Sequence, residues 1–482
     1  MKNSSEISRI LPFYLFVSGV FLMLIFQDIF SNGMFLDGLI YSTVSKNLAN
    51  GLGTFWNPHF TMTCLPDFHE HPPLAFGIQS LFYSVLGGSR FVDRVYSLLT
   101  VIITGLVILK IWKRLGFENG WLPLLIWLVT PTVFWASYNN LLENSVAIFT
   151  SLSVLFLLMY QDKHRFVFLC LSGFMLSLGF LTKGFVSFFP WTFPFLIWIF
   201  LKKESFGKMI TGTFWIFFFT IGPLLLLILI STDARLSLQK YIDNQVINSI
   251  RNVVTVSSRF DIVKRFLSEI APAGLLCLIL LVAGRIRKSA VKPSAEDIKK
   301  ALVFLSLCLT GVLPIMISLK QSGFYILPVY PFFAIAAGIL LSPYVNSLTG
   351  RINYESKGFL VFRLLSFGLF ALGIILSFSS SGGYSRDKIK ITDTKTILKE
   401  IPEATIINIL PDMYEDWGLH SYYARFKNIS LDPDINNKRS YLLIKSDSNQ
   451  DTLSLRYEIV NLNTKSFLLY RMRQVPEVNK TK

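Results

Sequence analysis

The chain has 482 residues, of which 52% are hydrophobic and only 16% charged. Soluble globular chains carry about 25% charged residues, so a single water-facing globule is excluded. The formal net charge is +16, but the Lys and Arg residues fall mostly in short loops between apolar runs, a pattern set by membrane insertion rather than by nucleic-acid binding.

Runs of about 17–20 apolar residues are long enough to cross a bilayer core about 30 Å thick. The pattern predicts eleven spans, near 11–30, 93–112, 121–137, 144–160, 166–181, 185–201, 210–230, 266–284, 301–319, 324–341 and 358–378. The first follows Lys2 and Arg9 and lacks a small-residue cleavage site, so it reads as a retained span. With these spans, Lys113/Arg114, Lys163/Arg165, Lys202/Lys203/Lys208 and Arg285/Arg287/Lys288/Lys292 all fall on one side, the cytoplasmic one. Counting 73–87 as another span would reverse every later basic loop. That segment reads instead as an interfacial amphipathic helix, with Leu74, Ile78, Leu81, Phe82 and Val85 on one face. Residues 39–50 show similar spacing. The first outer loop, 31–92, is thus expected to hold two short helices joined by a Gly-, Pro- and aromatic-rich segment. Beyond 378 a polar tail alternates strand-like runs (TIINIL, SYLLIK, SFLLY) with helical ones. The expected organisation is a membrane domain over 1–378 and a small extracytoplasmic α/β domain over 379–482. Of the four cysteines, Cys170, Cys277 and Cys308 lie in apolar runs and Cys64 stands alone in the outer loop. Neither a disulfide framework nor a zinc knuckle is indicated.

Several ionisable residues collect on the outer side. Asp37, in LDGLIY, stands at the start of an interfacial helix. An acid there is favoured by the helix dipole, and it could also take a proton from an acceptor hydroxyl. His69-Glu70-His71-Pro72-Pro73 combines imidazole and carboxylate. It could bind a divalent cation, or be a solvated loop with Pro opening the next helix. Glu143 is the sole acid of its outer loop, either a capping group or a second acid of a site. Lys183, in LTKG, and Lys320, in LKQSGFY, are isolated outer cations that break the positive-inside bias. Each could snorkel or pair with a lipid phosphate as a point charge. The loop 231–265 adds Arg235, Lys240, Arg251, Arg259, Lys264 and Arg265.

On these pieces the chain resembles the GT-C glycosyltransferases, in the branch of lipid A aminoarabinose transferases and protein O-mannosyltransferases. The matching segments are LDGLIYSTVSKNLANG, HEHPPLAFGIQSLFYSVLGG with FVDRVYSLL, NNLLENS, LGFLTKG and K-x4-Y-x2-P-x2-P at 320–331, spread over about 30–335. The resemblance implies an all-α polytopic membrane enzyme of GT-C type, with about eleven transmembrane helices plus interfacial helices. It implies Asp37 as catalytic base, Glu143 as a second acid, and Lys183, Lys320 and Tyr325 beside a donor phosphate. Glu70, with His71 beside it, is the candidate metal position; no cofactor is required beyond such an optional divalent cation. Three departures stand out: Gly38 follows Asp37 where relatives often have Glu, His71 stands where aminoarabinose-type relatives often have Lys, and loop 231–265 has no His.

The expected activity is transfer of a sugar from a polyprenyl-phosphate donor to a hydroxyl or phosphate of a lipid, glycan or protein acceptor. The expected place is the extracytoplasmic face of a bacterial cell membrane. Neither a P-loop nor a dinucleotide fingerprint is present, in keeping with a donor that is not a nucleotide. The competing reading is a transporter or flippase of a lipid-linked glycan. That reading requires inverted repeats and broken helices at mid-membrane, and the sequence shows no such symmetry.

Overall fold

The computed structural model describes residues 4–89, 91–160, 165–286, 292–448 and 456–473. Lys2, Lys163, Arg287 and Lys288, read above as cytoplasmic charges, lie outside the described residues. The helices in chain order are α1 (Ser4–Ile25), α2 (Leu36–Ala49), α3 (Leu74–Leu86), α4 (Val92–Arg114), α5 (Trp121–Leu128), α6 (Pro131–Ala136), α7 (Leu142–Met159), α8 (Arg165–Lys183) and α9 (Phe193–Leu201). They continue as α10 (Phe206–Ile230), α11 (Thr232–Tyr241), α12 (Asn248–Arg251), α13 (Asp261–Ile286), α14 (Ala295–Val312), α15 (Tyr330–Thr349), α16 (Lys357–Ser379), α17 (Lys388–Ile397) and α18 (Trp417–Lys427).

The chain divides into two compact units. The first comprises Met1–Phe30, His69–Ala75 and Asp93–Ser381. Among the described residues, eight segments are long and apolar enough to cross a membrane: Ile7–Ile25, Val92–Arg114, Leu142–Met159, Phe166–Ser187, Phe206–Ile230, Ala295–Ile317, Gly323–Thr349 and Lys357–Ser379. Of the other three expected spans, two are interrupted and one is continuous helix. The run 121–137 is two short helices, because Thr130 takes an extended conformation before Pro131 and Pro131 restarts the helix. The run 185–201 begins as two 3₁₀ turns before α9. The run 266–284 lies inside the 26-residue α13, which carries Asp261 and Glu269.

Helix starts follow capping chemistry. Ser294 and Asp297 form a reciprocal capping box at α14, and Ser356 caps α16. Inside the unit, helices meet through small residues, as packing without a hydrophobic drive requires. Ser153 of α7 and Ser172 of α8 are hydrogen bonded at 2.8 Å. A Cβ on Gly173 would lie 2.6 Å from the Ile216 carbonyl of α10.

The second unit comprises Ser31–Phe68, Phe76–Val92 and Gly382–Lys482. Most of the first outer loop thus groups with the C-terminal segment. Specific bonds account for this. The Asn32 amide donates to the Gly383 carbonyl at 2.7 Å. Lys46 Nζ donates to the Arg425 carbonyl at 2.5 Å, and Thr63 Oγ1 to the Leu431 carbonyl at 2.7 Å. Met34, Leu39, Ile391 and Tyr422 share an apolar cluster.

Both expected helices of the loop form, as α2 and α3. In α3 the apolar residues Leu81, Val85 and Leu86 are exposed, while Gln79 and Ser80 are buried. Gln79 Oε1 accepts from Ser45 Oγ at 2.9 Å. A helix with its polar side turned inward suits an apolar medium, in line with the interfacial reading.

The three strand-like runs of the tail become β1 (Ile406–Ile409), β3 (Tyr441–Lys445) and β5 (Phe467–Met472), joined by β2 (Ser430–Asp432) and β4 (Tyr457–Val460). The sheet order is β2-β1-β3-β5-β4. β1 runs parallel to β2 and β3, and β5 runs antiparallel to β3 and β4. Ile397, Ile407, Leu419, Leu431 and Leu443 are among the core residues beneath it.

Candidate functional site

Lys183 closes α8 because Gly184 follows with φ +74°, a left-handed conformation that ends helices cheaply only as glycine. The space is as restrictive as the angle: a Cβ at Gly184 would collide with the Tyr241 hydroxyl. The Lys183 ammonium is 6% exposed and lies 2.6 Å from Oε1 of Glu143, which is fully buried. Glu143 sits in the first turn of α7, where the helix dipole favours an acid. The same ammonium stands 5.6 and 5.4 Å from the ring centroids of Phe324 and Tyr325, within cation–π range. Removing two charges from water costs several kcal/mol per ion before their attraction offsets it, so an apolar protein that keeps such a pair is a functional hypothesis.

Lys320 lies between two 3₁₀ segments, Leu313–Ile317 and Gly323–Val329. Its Nζ donates to Gln245 Oε1 at 3.1 Å and to Ser249 Oγ at 3.3 Å. Its backbone N–H donates to Ser318 Oγ, which itself donates to the Ser249 carbonyl. His69 is buried, its Nδ1 3.2 Å from Ser237 Oγ, which anchors the segment carrying His71. The His71 imidazole is held well below the usual histidine range, first by burial and then by the charges of Lys183 and Lys320.

Lys183, Lys320, His71 and Tyr325 line one cavity of about 550 Å³. Apolar side chains, among them Phe185, Phe188, Trp191, Ile315 and Ile317, form much of the remaining wall. Basic groups that open onto an apolar chamber match a molecule with an anionic head and a hydrocarbon body.

The structure places the residues singled out in sequence as follows. Lys183, Lys320 and Tyr325 are brought together. Glu143 lies behind Lys183 and is not part of the cavity wall. Glu70 is half-buried beside His71 in the membrane unit. Among the described residues no three His, Cys, Asp or Glu side chains gather as a metal site. Asp37 is half-buried in the first turn of α2, in the second unit.

None of the six loop cations at 235–265 lines the cavity. Arg265 pairs with Glu269 at 2.8 Å, and Arg259 donates to the Met316 carbonyl. The loop contributes Tyr241, Gln245 and Ser249 instead. These uncharged residues carry no hydropathy or charge signal that would single them out.

The fold and the cavity together define a polytopic helical membrane protein with a basic-headed apolar pocket. Residues 70–232 match the family model described as dolichyl-phosphate-mannose-protein mannosyltransferase. Two solved structures share the fold over nearly the whole length. ArnT from Cupriavidus metallidurans in the apo state is 15% identical, with 94% of this chain and 97% of that chain covered and a TM-score of 0.63. ArnT from the same organism bound to undecaprenyl phosphate is 14% identical, with 95% and 97% covered and a TM-score of 0.64. No curated protein matches the chain in sequence. The chain thus shares its fold with ArnT, in keeping with its sequence resemblance to the GT-C glycosyltransferases.

Proposed function

We propose that this protein is an integral-membrane glycosyltransferase that moves a sugar from a polyprenyl-phosphate donor to a hydroxyl or phosphate acceptor at the extracytoplasmic face. The cavity carries the reading: two lysines and a Tyr meet inside an otherwise largely apolar chamber. The ArnT structure with undecaprenyl phosphate supports the donor class, since it shares the fold. The isoprenoid tail lies along the apolar wall and the phosphate against Lys183 and Lys320. As the sugar–phosphate bond breaks, charge grows on the leaving phosphate, and fixed cations stabilise it without reorganising. Glu143 holds Lys183 in place. Asp37, which the sequence resemblance marks as the base, takes the proton of the acceptor hydroxyl; the hydroxyl oxygen bonds to the anomeric carbon as the sugar–phosphate bond breaks, and the configuration inverts. No metal is required by this scheme.

The test is transfer from a radiolabelled polyprenyl-phosphate sugar by protein in liposomes, with envelope extract as acceptor. Asp37→Asn is expected to lower transfer about 10²–10⁴-fold, the range of a general base. Transfer at the wild-type rate would remove Asp37 from the mechanism.

A further inference from the structure

Lys320 is presented by a segment that the proposed chemistry leaves unexplained. Residues Ile242–Ile247 form a π-helical turn that runs into α12. Such turns are rare and occur often at functional sites. Gln245 on this turn and Ser249 four residues later both accept from the Lys320 ammonium, and both line the cavity. The neighbouring Gln321 is buried and bonded at every polar atom of its side chain. Its Nε2 donates to the Arg259 and Ser318 carbonyls at 3.0 and 2.9 Å, and its Oε1 accepts from the Ile262 amide at 2.8 Å. The backbone that carries Lys320 is thereby clamped on one side, and its ammonium is steered from the other.

The chemistry of the two acceptors is informative. An amide and a hydroxyl hold an ammonium without adding negative charge. Each also keeps N–H or O–H donors for an anion's oxygens. A carboxylate would hold the ammonium more strongly, yet it would repel a phosphate and offer it no proton. We infer that Gln245 and Ser249 are positioning residues that hold Lys320 for an anionic headgroup, and that their neutrality is what lets that headgroup bind. The inference rests on the donor reading above and deepens it.

The experiment measures binding of tritiated undecaprenyl phosphate to the full-length protein in nanodiscs, with thermal unfolding as a control. Gln245→Glu is nearly isosteric. It should lower affinity roughly tenfold or more, the scale of a hydrogen bond to a charged group, while the unfolding temperature holds or rises. Gln245→Ala should cost a few-fold in the wild type and clearly less in a Lys320→Ala background, since a residue acting largely through another shows strong coupling. Ser249→Asp serves as a second charge-adding variant should Gln245→Glu fail to fold. Wild-type affinity in a folded charge-adding variant would overturn the inference while leaving the donor reading intact. Absence of saturable binding to the wild type would overturn the donor reading and the inference with it.

Discussion

Helices α16 and α17 follow one another in the chain and obey opposite rules. On α16, Leu364, Leu365, Phe367 and Phe378 are each more than 60% exposed, while Ser366 and Ser377 are buried. On α17, Ile391, Thr394 and Ile397 are buried at helical spacing, while Lys388 and Lys395 are exposed. The first pattern suits hydrocarbon and the second suits water. The same contrast governs charge. In the C-terminal unit, ion pairs such as Lys445–Asp412 sit at the surface, where each contributes little. In the membrane unit the Lys183–Glu143 pair is almost wholly buried, where breaking it is costly. Where a charged group is expensive to keep, its presence points to chemistry; where it is cheap, it points mainly to solubility.

The contrast can be broken most forcefully at the buried pair. Glu143→Ala leaves the Lys183 ammonium without its carboxylate, at about 3–5 kcal/mol. Thermal unfolding in detergent should fall sharply, and transfer should drop by about two orders of magnitude or more. The double variant Lys183→Met/Glu143→Leu should recover much of the stability and none of the transfer. Recovery of both would make the pair purely structural.

A smaller effect is expected in the water-facing unit. His420 is fully buried and its Nε2 is placed to donate to the Tyr414 carbonyl. Burial lowers its pKa to about 4. Between pH 6.5 and 4 the unfolded chain therefore binds more protons than the folded one, and stability falls as pH falls through that window. The full loss is on the order of 3 kcal/mol. Hydrogen-exchange protection over 406–445, followed against pH, should show it, and His420→Gln should flatten the profile.

The smallest effect is expected on the lipid-facing surface. Leu365→Ala should change stability in a bilayer by less than about 0.5 kcal/mol, because hydrocarbon tails offer the side chain the same surroundings in either state. Ile391→Ala, at a buried water-side position, should cost about 2–4 kcal/mol. Equal losses in the two variants would erase the distinction between the two helices.

Much of this was legible in sequence because both media leave strong patterns. Long apolar runs marked the spanning segments, and short strand-like runs marked three of the five described strands. Lys183 and Lys320 stood out because isolated cations on the outer side are anomalous. The break at 130–131 was less visible: the run 121–137 is apolar throughout, and only the Thr-Pro step betrays that it is two helices. The loop 231–265 misled, because its charges drew attention while the neutral Gln245 and Ser249 make the contacts to Lys320. Glu143 was singled out by its isolation, but only coordinates place its carboxylate against an ammonium forty residues away. Charge type is written in sequence; the partner that satisfies it is a property of packing.

Gly184 carries a last consequence. Its left-handed backbone and the hydroxyl pressed against its Cα leave room for a hydrogen atom and nothing larger. A library randomised at this codon and selected for function would return a single amino acid. Attempts to reshape the chamber must therefore begin at the opposing aromatic, Tyr241, whose ring can be trimmed before the backbone across from it can be altered.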